Sequence, residues 1–531
     1  MPTDCISYQK SGYFTKLILD YLDENAALKP LYNRFPSIEN FKDQIAEKAN
    51  NFPIEHRAIL VSELEKQYAK TNASQETLKH ISLLSQPNTF TVTTGHQLNL
   101  FTGPLYFLYK IVSTINLCKE LKSKYPEHNF VPIYWMATED HDFEEINYFY
   151  LKGKTIRWNT ESTGPVGRLS TEGLDKVFDV FSKEIGSFIN ATQLKILFEN
   201  AYVKHTNLAD ATRYLANELF KSEGLVILDG DSEALKKLFI PYAQKELIDQ
   251  TSFQNVSTTN ALLEEYFVQV NPREINLFYI EDTLRERIVL ENGVYKINNT
   301  SIEFSESEIL SELENNPRKF SPNVILRPLY QEIILPNLCY IGGGGELAYW
   351  LELKSNFETN NITFPMLLLR NSVLLATKKQ IEKANNLNLN WSDLFSNQED
   401  LINAKTKELS KFTIDFSEQK EHLRKQFEAL HTIANQTDKS FIGAVKAQQT
   451  KQLKGLENLE KRLLKAEKRV LSDQLERIIS LQNELFPNQS LQERKVNFSE
   501  FYLEFGSDLI IKLLEKLKPL STEFTILTLQ P

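Results

Sequence analysis

Two short polar clusters carry residue types that can do chemistry together: Gly95-His96-Gln97 and Thr138-Glu139-Asp140-His141-Asp142-Phe143-Glu144-Glu145. A histidine beside carboxylates can serve as a general base, while the carboxylates hold a ligand ammonium. His96 with Asp140, His141 and Asp142 also offers the nitrogen and oxygen donors of a divalent site, although no metal ligand is assigned from the pattern. The competing reading is local: Asp140 and Asp142 cap a helix starting near Phe143, with His141 packed beside them. The whole cluster, set opposite a Gly-His-Gln turn, favours a ligand site. A third stretch, Gly342-Gly343-Gly344-Gly345-Glu346, precedes a helical run. A glycine loop at a helix start suits phosphate or carboxylate, because close approach meets free N–H groups and partial positive charge. It lacks the Gly-Lys-Ser/Thr ending of a P-loop and is not a complete dinucleotide fingerprint, so a plain connector remains a reading of it. Cys5, Cys118 and Cys339 pair visibly with no histidine, which disfavours a thiol nucleophile.

The elements that must position these groups follow from local pattern. Thr89–Thr94 is a β-branched and aromatic run that reads as a buried strand. Leu98–Glu120 reads as a helix entered through Asn99 and Phe101-Thr102-Gly103-Pro104, and Phe130–Met136 reads as a second strand. Strand, turn, helix, strand is a βαβ unit with parallel strands, which puts His96 and the Asp140-His141-Asp142 cluster at neighbouring carboxyl ends. That edge is where open α/β sheets bind ligands. Gly224–Asp229 reads as another strand of the same sheet, with Asp231 or Ser232 capping the helix that follows. Phe364–Leu369 reads as one more buried strand, ending in Arg370.

Between these, residues 1–88 read as a mostly helical, exposed packing layer without chemistry. Residues 151–168 read as a turn-rich hairpin leading into helices over 172–222. Asn276–Ile280 reads as a strand, and Arg285–Ile297 as a hairpin about Asn292-Gly293. From Val373 to Phe486 glycine nearly vanishes. Leu423, Phe427, Leu430 and Ala434, and then Leu456, Leu459, Leu463, Ala466 and Val470, recur at three- and four-residue steps. These are seam spacings of long paired helices, a coiled-coil arm that would make a homodimer. After Pro487, Ser490–Arg494 reads as a capped helix start, 498–518 as a helix with Gly506 as its weak point, and Phe524–Leu529 as a strand.

With 531 residues the chain should hold two or three domains. A net charge of −10 argues against a general nucleic-acid binder. Three scattered cysteines fit a reducing cytoplasm. The amino terminus has no signal pattern, and no apolar run approaches the ~20 residues of a membrane helix, so a cytoplasmic chain without membrane contact is expected.

Five stretches, taken in order, resemble the BshC family, the cysteine ligases of bacillithiol biosynthesis. They are Thr94–Pro104, Tyr134–Glu145, Leu326–Glu332, Gly342–Trp350 and Leu485–Arg494. The resemblance implies an α/β fold: a Rossmann-like parallel-sheet core with inserted connecting segments and a long α-helical coiled-coil domain. The corresponding division is a helical part at 1–88, core at 89–150, an inserted segment at 151–223, core with a hairpin insertion at 224–372, an arm at 373–486, and a return to the core at 487–531. It also implies joining of L-cysteine to the amine of glucosaminyl-malate, with ATP as co-substrate. Expected catalytic residues are His141, Asp140, Asp142 and His96. Expected substrate contacts are Gln97, Asn99, Thr102, Gly103, Glu144, Arg327, Gln331, Glu332, Tyr349 and Trp350, with Arg327 on the malate carboxylates. The nucleotide or another anion is expected at Gly342, Gly343, Gly344, Gly345, Glu346, Ser490 and Arg494. The requirement for a divalent metal is left open. Two alternatives stand beside this reading: a coiled-coil assembly protein with a vestigial crevice, and a nucleotidyl-transfer enzyme acting on another amine.

Overall fold

The computed structural model describes residues 3–530. Its core is a five-stranded sheet in the spatial order Met366–Leu369, Asn337–Gly342, Thr89–His96, Asn129–Met136, Val226–Asp229. All four pairings are parallel, and Thr89↔Asn129 through His96↔Met136 sets the register of the βαβ unit. In chain order the strands lie 5-4-1-2-3, so the winding reverses between Asn337–Gly342 and Thr89–His96. Every residue of Thr89–His96 is buried. Its threonines tolerate this because their hydroxyls are bonded: Thr91 and Thr93 donate to Asn337 Oδ1 at 3.2 and 2.8 Å, and Thr94 donates to the Ile341 carbonyl at 2.7 Å.

The helix after the first strand starts later than the spacing predicts, at Tyr106, and runs to Lys124. Ahead of it Phe101, Thr102 and Gly103 take positive φ values of 48°, 69° and 62°. Tertiary contacts hold this conformation. The Phe101 N–H donates to Tyr202 Oη at 2.8 Å, and Asn497 Nδ2 donates to the Phe101 and Gly103 carbonyls at 2.8 and 2.5 Å. The Phe101 ring sits among Phe149, Phe181, Phe198 and Phe498.

The hairpin about Asn292-Gly293 is present, both residues at positive φ as a tight two-residue turn requires. It belongs to a larger inserted antiparallel sheet ordered Glu303–Phe304, Val294–Ile297, Leu284–Glu291, Leu277–Glu281, Phe320–Pro322. A second hairpin, Tyr148–Leu151 with Lys154–Arg157, precedes the helices between 174 and 220.

Three expectations need correction. The first 88 residues are not an exposed layer: Tyr21, Phe41, Leu60 and Leu64 are fully buried, and Lys48 forms a buried 3.0 Å ion pair with Glu332. Thr3–Ser7 is moreover a strand, paired antiparallel with Glu523–Leu529. Val373–Thr377, assigned to the helical arm from its lack of glycine, is a strand of that same sheet, because five consecutive β-capable residues pair with the terminal strand. Finally, Gly506 (φ 58°) breaks the expected 498–518 helix into Phe498–Phe505 and Asp508–Lys516.

The chain divides into two compact units, one built on Tyr13–Leu375 with both chain ends, the other on Ala376–Leu491 with Lys10–Gly12. Within the second, Ser417–Ala434 and Lys439–Val470 pack as a helical hairpin around Phe427, Ala434 and Val445. Asp438 caps the second helix by accepting from Ser440 and Phe441 N–H. No helix among the described residues is long and apolar enough to cross a membrane.

Removing one partner of a buried ion pair leaves the other uncompensated. Lys48→Met is therefore expected to lower the unfolding free energy by about 3–5 kcal/mol, read from urea denaturation, while Lys48→Met with Glu332→Leu recovers much of the loss.

Candidate active site

Two cavities open at the carboxyl edge of the parallel sheet, both within the first unit. The first, about 520 Å³, is walled by Trp135–Asp142 on one side and by Phe278, Arg285 and Arg287 of the inserted sheet on the other. The second, about 420 Å³, lies where the winding reverses, among His96, Gln97, Tyr106, Lys110, Gly343–Glu346, Arg370 and Arg494. Trp135, Ala137, Val324 and Arg327 line both. The two polar clusters meet directly: Gln97 Nε2 donates to Asp140 Oδ2 and to Glu145 Oε2, each at 3.0 Å.

In the first cavity Asp140 accepts the His141 N–H at 2.8 Å. Burial alone would raise its carboxyl, but hydrogen bonds from His141 and Gln97 and the nearby Arg285 charge outweigh that and hold it below the ordinary carboxylate range. Asp142 is raised, by partial burial and by the charge of Asp140. His141 Nδ1 lies 3.7 Å from Asp140 and 3.9 Å from Asp142. A guanidinium N–H of Arg285 donates to that same nitrogen, so Nδ1 is an acceptor here. One donor atom from each of Asp140, His141 and Asp142 falls within 4.8 Å of the others. A metal ion at Nδ1 would compete with Arg285 for the lone pair. Glu139, raised by burial, is paired with Lys236, which also donates to the Phe320 carbonyl at 2.6 Å. Asp231 is not a helix cap. It is gripped by Arg168 at 2.7 and 2.9 Å and by Arg318 at 3.0 and 3.1 Å, and Ser232 makes no capping bond.

In the second cavity the His96 ring packs against Tyr106 and Phe107, 7% exposed. Burial, and then the Lys110 charge, push its pKa well below the ordinary histidine value, so the ring is neutral. It bonds the Thr102 backbone, while Nε2 is buried without a partner. Lys110 donates to the Gly95 carbonyl at 2.7 Å and pairs with Glu346 at 2.5 Å. Glu346 in turn accepts the Gly343 N–H at 2.9 Å and the Tyr340 hydroxyl at 2.7 Å. Burial opposes its ionisation, but Lys110 and these bonds keep it below its ordinary value. Gly342 must be glycine, since a Cβ there would stand 2.9 Å from the Glu346 Cβ. Arg370 pairs with Glu493 at 2.7 Å, leaving Nε buried and unpartnered.

Thus Asp140, His141 and Asp142 line the first cavity, Gln97, His96, Gly343, Gly344, Gly345, Glu346, Tyr349 and Arg494 line the second, and Arg327 lines both. The other expected contacts lie elsewhere. Asn99 donates to the Glu145 carbonyl at 3.1 Å, and with Thr102 and Gly103 it shapes the positive-φ loop rather than a cavity wall. Gln331 holds Arg327 at 3.0 Å from behind, Glu332 is taken up by Lys48, and Trp350 is a fully buried neighbour of Tyr340. Glu144 pairs with Arg157 at the surface. Gly342 closes its strand, and Ser490 belongs to the other unit and starts no helix. Sequence reasoning missed Lys110, Arg285 and Arg287 and gave Arg370 no role. A single lysine in the apolar first half of a helix, and an arginine ending a buried strand, were the signals available for two of them.

A family model described as the N-terminal Rossmann-like domain of bacillithiol biosynthesis BshC matches residues 1–371, and one described as its C-terminal coiled-coil domain matches residues 373–529. Proteins named "Putative cysteine ligase BshC" align along the whole chain: 68% identity in Flavobacterium johnsoniae with 100% of both chains covered, and 65% in Flavobacterium psychrophilum with 99% of both covered. In Bacillus cereus the identity is 27%, over 94% of this chain and 95% of the relative. The chain belongs to the BshC family. It is accordingly a ligase of bacillithiol biosynthesis, with the Rossmann-like core and coiled-coil domain expected of a BshC member. Both cavities fall in the part of the chain matched by the BshC Rossmann-like model, apart from Arg494, which returns from the C-terminal part.

Because the folded Asp140 carboxyl lies below its unfolded value of about 4, its stabilising contribution is complete above that pH and is lost as the pH falls toward the lower folded value. Asp140→Asn removes it. The stability gap between parent and variant, followed by urea midpoints, is expected to narrow as the pH drops below about 4.

Proposed function

We propose that the chain joins L-cysteine to the amine of glucosaminyl-malate, forming bacillithiol, with ATP activating the cysteine carboxylate. The observation that supports this most is the meeting of two cavities through Gln97 and a shared wall, the first lined by both carboxylates and arginines, the second mainly by cations. Amide formation from a free carboxylate needs an activated acyl group and a deprotonated amine in contact, and adjoining compartments bring them together.

In this reading Asp140 and Asp142 hold the ammonium, and Gln97 and Arg285 keep Asp140 ionised for that task. The amine loses a proton to His141 Nδ1, the nitrogen that carries the lone pair and gives up its Arg285 bond as the proton arrives. The amine nitrogen attacks the acyl carbon, and the phosphate-bearing group leaves toward the second cavity. The phosphate site is drawn from the Gly344 and Gly345 N–H groups at the helix start, Arg494, and the unpartnered Nε of Arg370. ATP bound there would supply the activating phosphoryl or adenylyl group. Arg327, on the wall between the cavities, is held by Gln331 and Tyr349 and has no ion pair among the described residues, so it can take a carboxylate from either side. The helical hairpin leaves Ile433, Phe441, Leu459 and Val470 between 47% and 76% exposed, apolar surface that suits a homodimer through the arm. The protein is proposed to work in the cytoplasm.

In cells dependent on this chain, Asp140→Asn and His141→Ala are each expected to cut bacillithiol at least tenfold with accumulation of glucosaminyl-malate, measured by thiol profiling. Parental thiol levels in both would refute the assignment. Replacing residues 417–470 by a short linker is expected to give a monomer in light scattering, which separates the arm's assembly role from the chemistry.

A further inference from the structure

The face of the inserted sheet turned toward the first cavity is unusually basic. Phe278 lies opposite Arg287 and Ile280 opposite Arg285 in the antiparallel register, so these four side chains share one face. Ile288, one residue on, is buried on the other face. Arg273 joins Arg285 and Arg287 in the cavity wall. The Arg285 guanidinium lies 3.9 Å from the Phe278 ring centroid, which fixes its plane, and its Nε is enclosed without a partner. No hydrogen bond or ion pair of the Arg273 or Arg287 guanidinium is found among the described residues. Asp140, Glu139 and Asp142 act on Arg285 from the opposite wall, but no ion pair of Arg273 or Arg287 with an acid is found among the described residues.

Gathering three guanidiniums at one wall is unfavourable unless an anion neutralises them. Three forks aimed into one cavity match two carboxylates better than one. The opposite wall carries Asp140 and Asp142, which repel a polyphosphate but welcome an amine. A ligand with carboxylates at one end and an ammonium at the other satisfies both walls, and the volume falls in the range of small-molecule sites.

We infer that Arg273, Arg285 and Arg287 form a dicarboxylate subsite on the inserted sheet that takes the malate end of the amine substrate. The inference rests on the ligase reading for the identity of that substrate. Arg285 links the subsite to the chemistry, since the guanidinium that meets a carboxylate also touches His141 Nδ1. The insertion is thus a specificity element, while the parallel sheet supplies the reacting groups.

The test is calorimetric, on the full-length protein, with L-malate, L-lactate and inorganic triphosphate as probes. The variants are Arg273→Gln, Arg287→Gln and the double Arg273→Gln/Arg287→Gln, which spare Arg285 and with it His141. Unchanged circular dichroism and melting show that they fold, and either single variant serves if the double does not. The parent is expected to bind L-malate more tightly than L-lactate. The double variant should weaken malate at least tenfold, or each single variant severalfold, with triphosphate affinity unchanged. No malate binding by the parent, equal binding by folded variants, or a parallel loss of triphosphate would overturn the subsite. Failure of the two ideas is separable. Arginine-dependent malate binding in a protein that makes no bacillithiol keeps the subsite and removes the ligase reading. Bacillithiol synthesis by the double variant at the parental KM for glucosaminyl-malate does the reverse.

Discussion

The parallel pairing of Thr89–His96 with a neighbour on each side is the constraint on which the site depends. The winding of the sheet reverses beside this strand, and a reversal leaves an opening at the carboxyl edge because the two flanking connections depart in opposite directions. The pairing also continues past the strand ends, where Ala137 N–H donates to the His96 carbonyl at 3.1 Å. That bond carries Gln97 and Asp140 forward together until their side chains meet. A slip in this register would separate the two clusters, and the hydroxyl bonds of Thr91 and Thr93 to Asn337 oppose it from within the core.

Charge burial follows from the same placement. Lys48–Glu332, Lys110–Glu346, Lys236–Glu139 and Arg370–Glu493 are all ion pairs with strongly enclosed members; the last three border the carboxyl edge, and Lys48–Glu332 lies beside Asn337 and Thr363 at the amino ends of their strands. Such pairs add little net stability against apolar alternatives, but each holds its groups in one geometry. What they leave unpaired is informative. His96 Nε2, Arg370 Nε and Arg285 Nε are enclosed polar atoms without partners, and their residues line the two cavities. Other enclosed atoms away from the cavities, such as Tyr134 Oη and Gln482 Oε1, also lack a protein partner, so it is their position at the cavity walls that singles these three out.

The inserted segments act on the site from outside the sheet. The first provides Phe149, Phe181, Phe198 and Tyr202, which clamp Phe101 and so hold the loop whose Thr102 backbone bonds His96. The second provides the wall opposite Asp140. A doubly wound sheet alone would present a shallow edge. The insertions give it depth, a charged wall and a fixed loop, a division of labour consistent with chemistry at strand ends and specificity in connections.

Much of this was legible in the chain itself. Strand and hairpin signals are local: β-branched runs bounded by turn residues, Asn292-Gly293, and a seam of apolar residues at three- and four-residue steps. The βαβ reading also located Asp140, His141, Asp142, His96 and Gln97 at one edge, since the rule needs only strand direction. The rest was a matter of distant partners. Phe101 and Thr102 read as helix because nothing near them announces the aromatic cage or Asn497, nearly four hundred residues away in the chain. Glu332 and Trp350, expected as ligand contacts from the family resemblance, are core residues instead, and residue type alone does not say which side of a helix faces the core. Arg285 and Arg287 read only as part of a hairpin; their shared face and its turn toward the site come from folding of the insertion over the sheet. Local backbone preference is written in neighbouring residues, whereas burial and pairing are properties of surfaces that meet only once the chain has folded.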